Sequence, residues 1–350
     1  MDTLTHALSG ALLARATAPA QQRSDELTLR ARVTTGFLAA AFPDGDFALR
    51  LIDTLTYLNW HQGLTHSAVM LPVWALMLAY LFSRLTRRRY PWQAFFGTAF
   101  LGIAIHIAGD VFTAYGTVLL APLSSQRFLL PFAFVIDPYF SAIIVAGLVA
   151  VLLLPRRRYP AALALIVLGC YVAFQGALHH RAVNVGEAYA GTQGLGGAEI
   201  HALPQPLTPF NWKIIVSLDD GYHEALVNLW RTRSPETPGP ETGMLGKIAA
   251  GYQPVSAADW KRHERFGETA SQAELARIAW NQEIFADFRR FAMFPTLDRI
   301  EFSNNRLCVW FLDLRFTLPS LPPSFRYGVC RTGATDSWRL ERMRGSFWID

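Results

Sequence analysis

His61 and His66 stand five residues apart in HQGLTHS, just ahead of a long apolar run, and His106 and Asp110 sit four apart where another apolar run ends. Nearer the N-terminus are His6, in MDTLTHALSG, and the carboxylates Asp44 and Asp46 of FPDGD. Neutral imidazole and carboxylate together are ligands for zinc, manganese or iron, and a hydrolytic centre built from them keeps one position for water. On a helix, His106 and Asp110 share one face, so both can reach one ion or one can orient the other. Two aspartates as close as Asp44 and Asp46 repel each other unless a cation lies between them. Each pattern alone has an ordinary reading. His-x-x-x-Asp can be a helix-surface hydrogen bond, PDGD a turn, and Asp2 with His6 a helix-end cap.

The elements that must bring these residues together are apolar. The 350-residue chain is 51% hydrophobic and 17% charged, with mean hydropathy +0.20, which is too apolar for an ordinary soluble protein. Four segments, starting at Ser67, Ala94, Phe140 and Ala161, each approach the roughly 20 residues that cross a bilayer core, and weaker ones start at Leu4 and Val33. About six spans are therefore expected, forming an α-helical integral membrane bundle over residues 1–180, followed by a smaller extramembrane α+β domain over 181–350. The formal charge of +5 comes almost wholly from arginines, clustered in RSDELTLRAR, SRLTRRRYP and PRRRYP between the spans. Such clusters stay cytoplasmic. They are solvated loops and require no nucleic-acid partner. With these loops inside, both termini and the C-terminal domain lie outside. His6, Asp44, Asp46, His61, His66, His106 and Asp110 then all fall at the outer face. Ionisable residues at or within spans are costly and mark function, so the reading is a divalent-metal centre, zinc first with manganese or iron as alternatives.

The blocks MDTLTHALSG, FPDGD, HQGLTHS, HIAGDVFTAYGTVLLAPLS and IDPYF resemble the YdjM-type family of LexA-regulated, inner-membrane-associated proteins described as metal-dependent hydrolases. The resemblance covers about residues 1–180. It implies a bacterial inner-membrane protein with the seven residues above at the matching positions, and it names no substrate. Where the family often has arginine, this chain has Gln62.

Two classes of function remain. One is a hydrolase at the periplasmic membrane surface, in which metal-activated water attacks a small-molecule or lipid-derived substrate and Asp44 or Asp46 takes the proton. The other is a non-catalytic regulatory or scaffolding membrane protein whose His/Asp cluster only ties helices together. Membrane lipid is a partner in either case. Thr113, Tyr115, Gly116 and Arg127 could contact substrate or could simply shape a loop; Asp137 could cap a helix or ligate, and His179 and His180 could be interfacial or spare ligands. Beyond residue 180, NVGEAYAGTQGLGGAE reads as a loop, NWKIIVSLDDGYHEALVNLW as a hairpin with an Asp-Gly turn, SQAELARIAWNQEIFADFRRFAMF as one amphipathic helix, and NRLCVWFLDLRF, FRYGVCR and WRLERMRG as strands. Cys308 and Cys330, placed on neighbouring late strands outside the cytoplasm, could be bridged or could stay as free thiols.

Overall fold

The computed structural model describes residues 1–20, 26–303, 305–333 and 336–343. The chain divides into two units, Met1–Ala177 and Leu178–Asp350.

The first unit is helical. Its elements are α1 (Thr3–Ala16), α2 (Leu29–Ala41), a 3-10 segment (Pro43–Leu51), α3 (Thr54–Trp60), a 3-10 turn (Leu64–His66), α4 (Leu71–Leu85), α5 (Trp92–Val111), α6 (Pro138–Leu153) and the first part of α7 (Tyr159–Gln193). Among the described residues, α5 and α7 are long and apolar enough to cross a membrane. Thr54–His66 with α4, bent by 81°, makes a third candidate if the pair is one broken span. The other expected spans are shorter helices. At 1.5 Å per residue the 16 residues of α6 rise about 24 Å and the 14 of α1 about 21 Å, against roughly 30 Å of hydrocarbon. The segment from Val33 does not stay helical through FPDGD. Pro43 gives no N–H to the ladder, and the chain tightens into the 3-10 segment. On α6 and α7, Leu152, Leu153 and Ile166 are 77%, 75% and 63% exposed, an apolar surface suited to lipid.

Helices α1, α2 and α5 meet through three glycines. A Cβ on Gly10 would lie 2.3 Å from the Gly36 carbonyl oxygen, one on Gly36 2.5 Å from the Gly10 oxygen, and one on Gly102 2.9 Å from Ala39 Cβ. Only residues without a side chain allow this approach. Around the contact, Ala39, Ala99, Ile103 and Ile107 join Leu78 and Phe82 of α4 in one apolar core, and Leu12 packs with Ile144 and Ala164 in another.

The second unit is α+β. β1 (Glu199–Pro204), β2 (Asn211–Ser217) and β3 (Gly221–Asn228) form an antiparallel meander, joined on the far side of β3 by β4 (Gln253–Pro254) and β5 (Lys261–Glu264), with α8 (Met244–Ala250) in the connection. After α9 (Ala270–Trp280) and α10 (Ala286–Phe291) come β6 (Pro295–Ser303), β7 (Arg306–Asp313), β8 (Tyr327–Thr332) and β9 (Arg339–Arg342), an antiparallel sheet in sequence order. The Asp-Gly hairpin and the three late strands match expectation. Cys308 faces Cys330 across the β7/β8 register, and the two are joined in a disulfide.

Two expectations are corrected. Residues 184–193 continue α7 instead of forming a loop, because Gly186 is a packing contact: a Cβ there would lie 2.5 Å from Ile200 Cγ2 and 2.9 Å from Ile214 Cγ2. The amphipathic segment after residue 270 is two helices. α9 is closed at Asn281, and a 3-10 turn, Glu283–Phe285, brings Phe285 and Phe288 against Trp280 at the end of α9, with Phe291 against Phe288.

Lys213 is fully buried in this unit, and its ammonium donates to the carbonyls of Leu314 (2.5 Å) and Thr317 (2.8 Å) and pairs with Glu224 Oε1 at 3.0 Å. Glu224 Oε2 accepts from His263 Nε2 at 2.7 Å. Burial alone would push the Glu224 carboxyl up, but the Lys213 charge and the His263 hydrogen bond outweigh it and hold it at about 2, against a usual 4.5. A depressed folded-state value means the stability is fully present above pH 4.5 and is lost as pH falls through about 2. We expect urea unfolding, followed by tryptophan fluorescence, to show wild type losing on the order of 3 kcal/mol over that window relative to Glu224→Gln, whose curve lacks the increment. Parallel curves for the two would refute the assignment.

Candidate metal centre

His6 lies in the second turn of α1, whose N-cap is Asp2: Oδ1 accepts from the Thr5 amide at 3.0 Å. Asp44 and Asp46 occupy the first turn of the 3-10 segment that Pro43 opens. His61 caps the C-terminus of α3, and His66 ends the following 3-10 turn. His106 and Asp110 lie on the last turns of α5, where the helical period puts them on one face. The three glycines sit one turn from this cluster. Gly10 follows His6 by four residues, Gly102 precedes His106 by four, and Gly36 precedes Ala40 by four. Close helix contact therefore sets where the side chains meet.

Asp44, His66, His106 and Asp110 form one convergent group and Asp46, His61 and His66 a second, each with ligand-type atoms within 4.8 Å of one another. In the first group, His66 Nε2 and His106 Nε2 are 3.0 Å apart, and Asp110 Oδ2 is 3.2 Å from both. Asp44 Oδ1 stands at 3.7 and 3.6 Å from the same two nitrogens.

Hydrogen bonds on the far side of each ring assign the tautomers. His106 Nδ1 lies 2.6 Å from the Ala40 carbonyl oxygen, so it donates there. Thr65 Oγ1 donates to Asp46 Oδ2 at 2.9 Å and therefore accepts from His66 Nδ1 at 2.9 Å. In the neutral rings both Nε2 atoms are then lone pairs. They face two carboxylate oxygens, of which Asp110 Oδ2 is buried without a hydrogen-bond partner. Four acceptors converging on one buried point, with no donor among them, is a donor set that fits a cation.

The other expected residues surround this group. His6 belongs to neither convergent group: its Nε2 is 3.0 Å from Asp110 Oδ1, and its ring stacks on His106 with centroids 3.8 Å apart. The Met1 amino group reaches the same Oδ1 at 2.5 Å. Asp46 Oδ1 accepts from His61 Nδ1 at 2.8 Å, and the His61 ring stacks on Tyr57 at 4.7 Å. Asp46 thus holds His61 with one oxygen and Thr65 with the other.

Thr65 and the Ala40 carbonyl were not foreseen as parts of the site. Thr65 had a visible signal, a hydroxyl next to a candidate ligand histidine in HQGLTHS; a backbone carbonyl leaves none. Gln62 turns away, accepting from Thr117 Oγ1 at 3.2 Å. Tyr115 donates to Leu58 O at 2.6 Å, Arg127 to Gly116 O at 2.7 Å and Asn59 O at 2.9 Å, and Thr113 to Asp110 O at 2.8 Å; these bonds shape the loop. Asp137 caps α6, accepting from the amides of Tyr139 and Phe140, and also takes hydrogen bonds from Tyr171 and Gln175. His179 and His180 belong to the second unit and to neither convergent group.

Comparison with known proteins bears on the same half of the chain. The family described as YdjM inner membrane protein matches residues 1–182. The chain is similar to the uncharacterized protein YfhP of Bacillus subtilis (strain 168), with 30% identity over 146 residues, covering 40% of this chain and 42% of that protein. The match thus spans less than half of that relative's length. No solved structure matches the chain.

Proposed function

Since the chain belongs to the YdjM inner membrane protein family, matched over residues 1–182, we propose that it is a multi-pass inner-membrane protein and a metal-dependent hydrolase working at the periplasmic face on a phosphoester or lipid-derived substrate. The family and the apolar helices support a membrane location. The observation that carries the metal reading is the meeting of two imidazole lone pairs and two carboxylate oxygens at one buried point.

His66, His106 and Asp110 would hold the ion. Zinc suits this mixed set, with manganese or iron as alternatives. A divalent cation there supplies Lewis acidity and makes water a nucleophile near neutral pH. Asp44 is the base. Its oxygen stands back from the two nitrogens, and its side chain is 10% exposed against 0–1% for the other three, so water reaches this carboxylate first. Asp46 fixes the His66 tautomer through Thr65 and orients His61. The alternative, an ion that only ties helices together, draws on the burial of His66, His106 and Asp110.

Elemental analysis of the purified full chain tests the metal, with about one ion per chain expected. Hydrolysis of phosphoester and lipid-ester reporters in micelles should stop with chelator and return with zinc. A chain carrying no ion would end the proposal, and a bound ion with no chelator-sensitive hydrolysis would select the alternative.

The periplasmic side is supported by the three arginine clusters and by the Cys308–Cys330 bridge, which suits an oxidising compartment. An alkaline phosphatase fusion after residue 350 should therefore be active. A silent one, with an active cytoplasmic reporter at the same place, would reverse the orientation.

A further inference from the structure

The candidate metal centre lies just before α4 and in the last turns of α5, so the opposite end of this helical hairpin, at Trp92, is about 21 to 27 Å away along α5 from His106 and Asp110. There, between the start of α2, the end of α4 and the start of α5, a cleft of about 560 Å³ opens. Its walls include Leu38, Phe82 and Leu85, and Arg30, Arg87 and Arg89 also line it. Among the described residues, none of these three arginines pairs with a carboxylate.

The turn carrying two of them is held in an unfavourable conformation. Arg87 and Arg88 are consecutive non-glycine residues with φ of 51° and 57°, in the left-handed region that side chains avoid. Surrounding bonds pin the turn: the Arg88 amide donates to Ser83 O at 2.7 Å, the Arg89 amide to Thr86 O at 3.0 Å, and Ser83 Oγ to Tyr90 O at 2.8 Å. Strain of this kind persists where the surrounding structure over-determines it and often accompanies a binding role. Nearby, Tyr80 and Trp92 stack with centroids 5.2 Å apart, an aromatic pair of the type found at the membrane–water boundary.

A free anion would satisfy the arginines and leave the apolar walls unused. A lipid tail would do the reverse. One molecule that needs both lies in the leaflet beside this end of the hairpin. We propose that the cleft binds an anionic phospholipid, its phosphate among Arg30, Arg87 and Arg89 and its acyl chain along Leu38, Phe82 and Leu85. Basic clusters next to a span attract anionic headgroups by this means. The site is independent of the hydrolase reading and lies at the other end of the bundle.

Native mass spectrometry of the full chain in detergent, titrated with phosphatidylglycerol, phosphatidylcholine or inorganic phosphate, provides the test. Wild type should retain phosphatidylglycerol in preference to phosphatidylcholine, and equimolar phosphate should not displace it. The combined variant Arg30→Gln/Arg87→Gln/Arg89→Gln should bind phosphatidylglycerol about a hundredfold more weakly, at roughly a fivefold loss per charge. Its bound ion, where wild type carries one, should be unchanged. If that variant does not fold, Arg30→Gln alone is read for its fivefold loss. Undiminished phosphatidylglycerol binding in the folded variants, equal retention of phosphatidylcholine, or displacement by equimolar phosphate would each overturn the proposal.

Discussion

On the proposed metal-hydrolase reading, Asp110→Ala should leave the purified chain without an ion and without hydrolysis, whereas Thr65→Val should keep an ion with affinity lowered about 10–100-fold, the range for losing a partner that orients a ligand. The contrast follows from what each side chain touches. Asp110 Oδ2 is the carboxylate oxygen closest to both Nε2 atoms, at 3.2 Å from each, and Oδ1 is engaged by His6. Removing it takes away a ligand and half the negative charge of the four-residue group, and leaves the two imidazoles without the anion that offsets a cation. Thr65 accepts from His66 Nδ1 and donates its hydroxyl hydrogen bond to Asp46, which lies outside that group. Without it the His66 ring can take the other tautomer, which costs affinity while the ligand itself remains. Asp110→Asn, of equal volume, separates lost charge from lost packing. Metal content by elemental analysis and affinity against a competing chelator measure both variants. An Asp110→Ala chain that folds and holds zinc as tightly as wild type would remove this residue from the centre.

Gly36→Val should destabilise the first unit by about 3 kcal/mol or more, at or beyond the upper end of the usual overpacking range, and should weaken metal binding although Gly36 touches no ligand. A Cβ at this position would lie 2.5 Å from the Gly10 backbone oxygen and 2.6 Å from Ala14 Cβ. Backbone cannot rotate out of the way, so α2 must shift from α1. The same shift moves Ala40, whose carbonyl holds the His106 ring at 2.6 Å. Gly97, on α5 where an added Cβ would meet nothing within 4 Å, is the control: Gly97→Val should stay within about 0.5 kcal/mol and match wild type in metal content. Thermal unfolding in detergent with metal content before heating reads both effects. Equal melting temperatures for the two variants would show that the glycine contact does not organise the centre.

Much of the helical half was legible because its signals are local. Apolar runs marked where helices lie, and the histidines and aspartates at their ends marked where chemistry could gather, since ionisable residues beside lipid are costly to keep without use. Family blocks such as FPDGD and HQGLTHS added order to those residues. In the second half, the Asp-Gly turn and the alternating late strands were readable for the same reason, while the Cys308–Cys330 bridge, open from the sequence, was decided by the β7/β8 register.

The sequence by itself determined which residue types were available and which ends of the helices carried them. Only the tertiary structure decided their roles. His6, His66 and His106 are chemically alike in the sequence; they differ because His6 is spent on Asp110 while Thr65 and the Ala40 carbonyl fix the other two rings with their lone pairs inward. A tautomer depends on a partner brought from a distant segment, such as Ala40, sixty-six residues from His106. Helix lengths were decided in the same way. FPDGD and the backbone before Leu71 leave the regular helix for reasons of backbone hydrogen bonding and packing that apolar content does not encode, and Gly186 continues a helix where composition suggested a loop because a sheet lies against it.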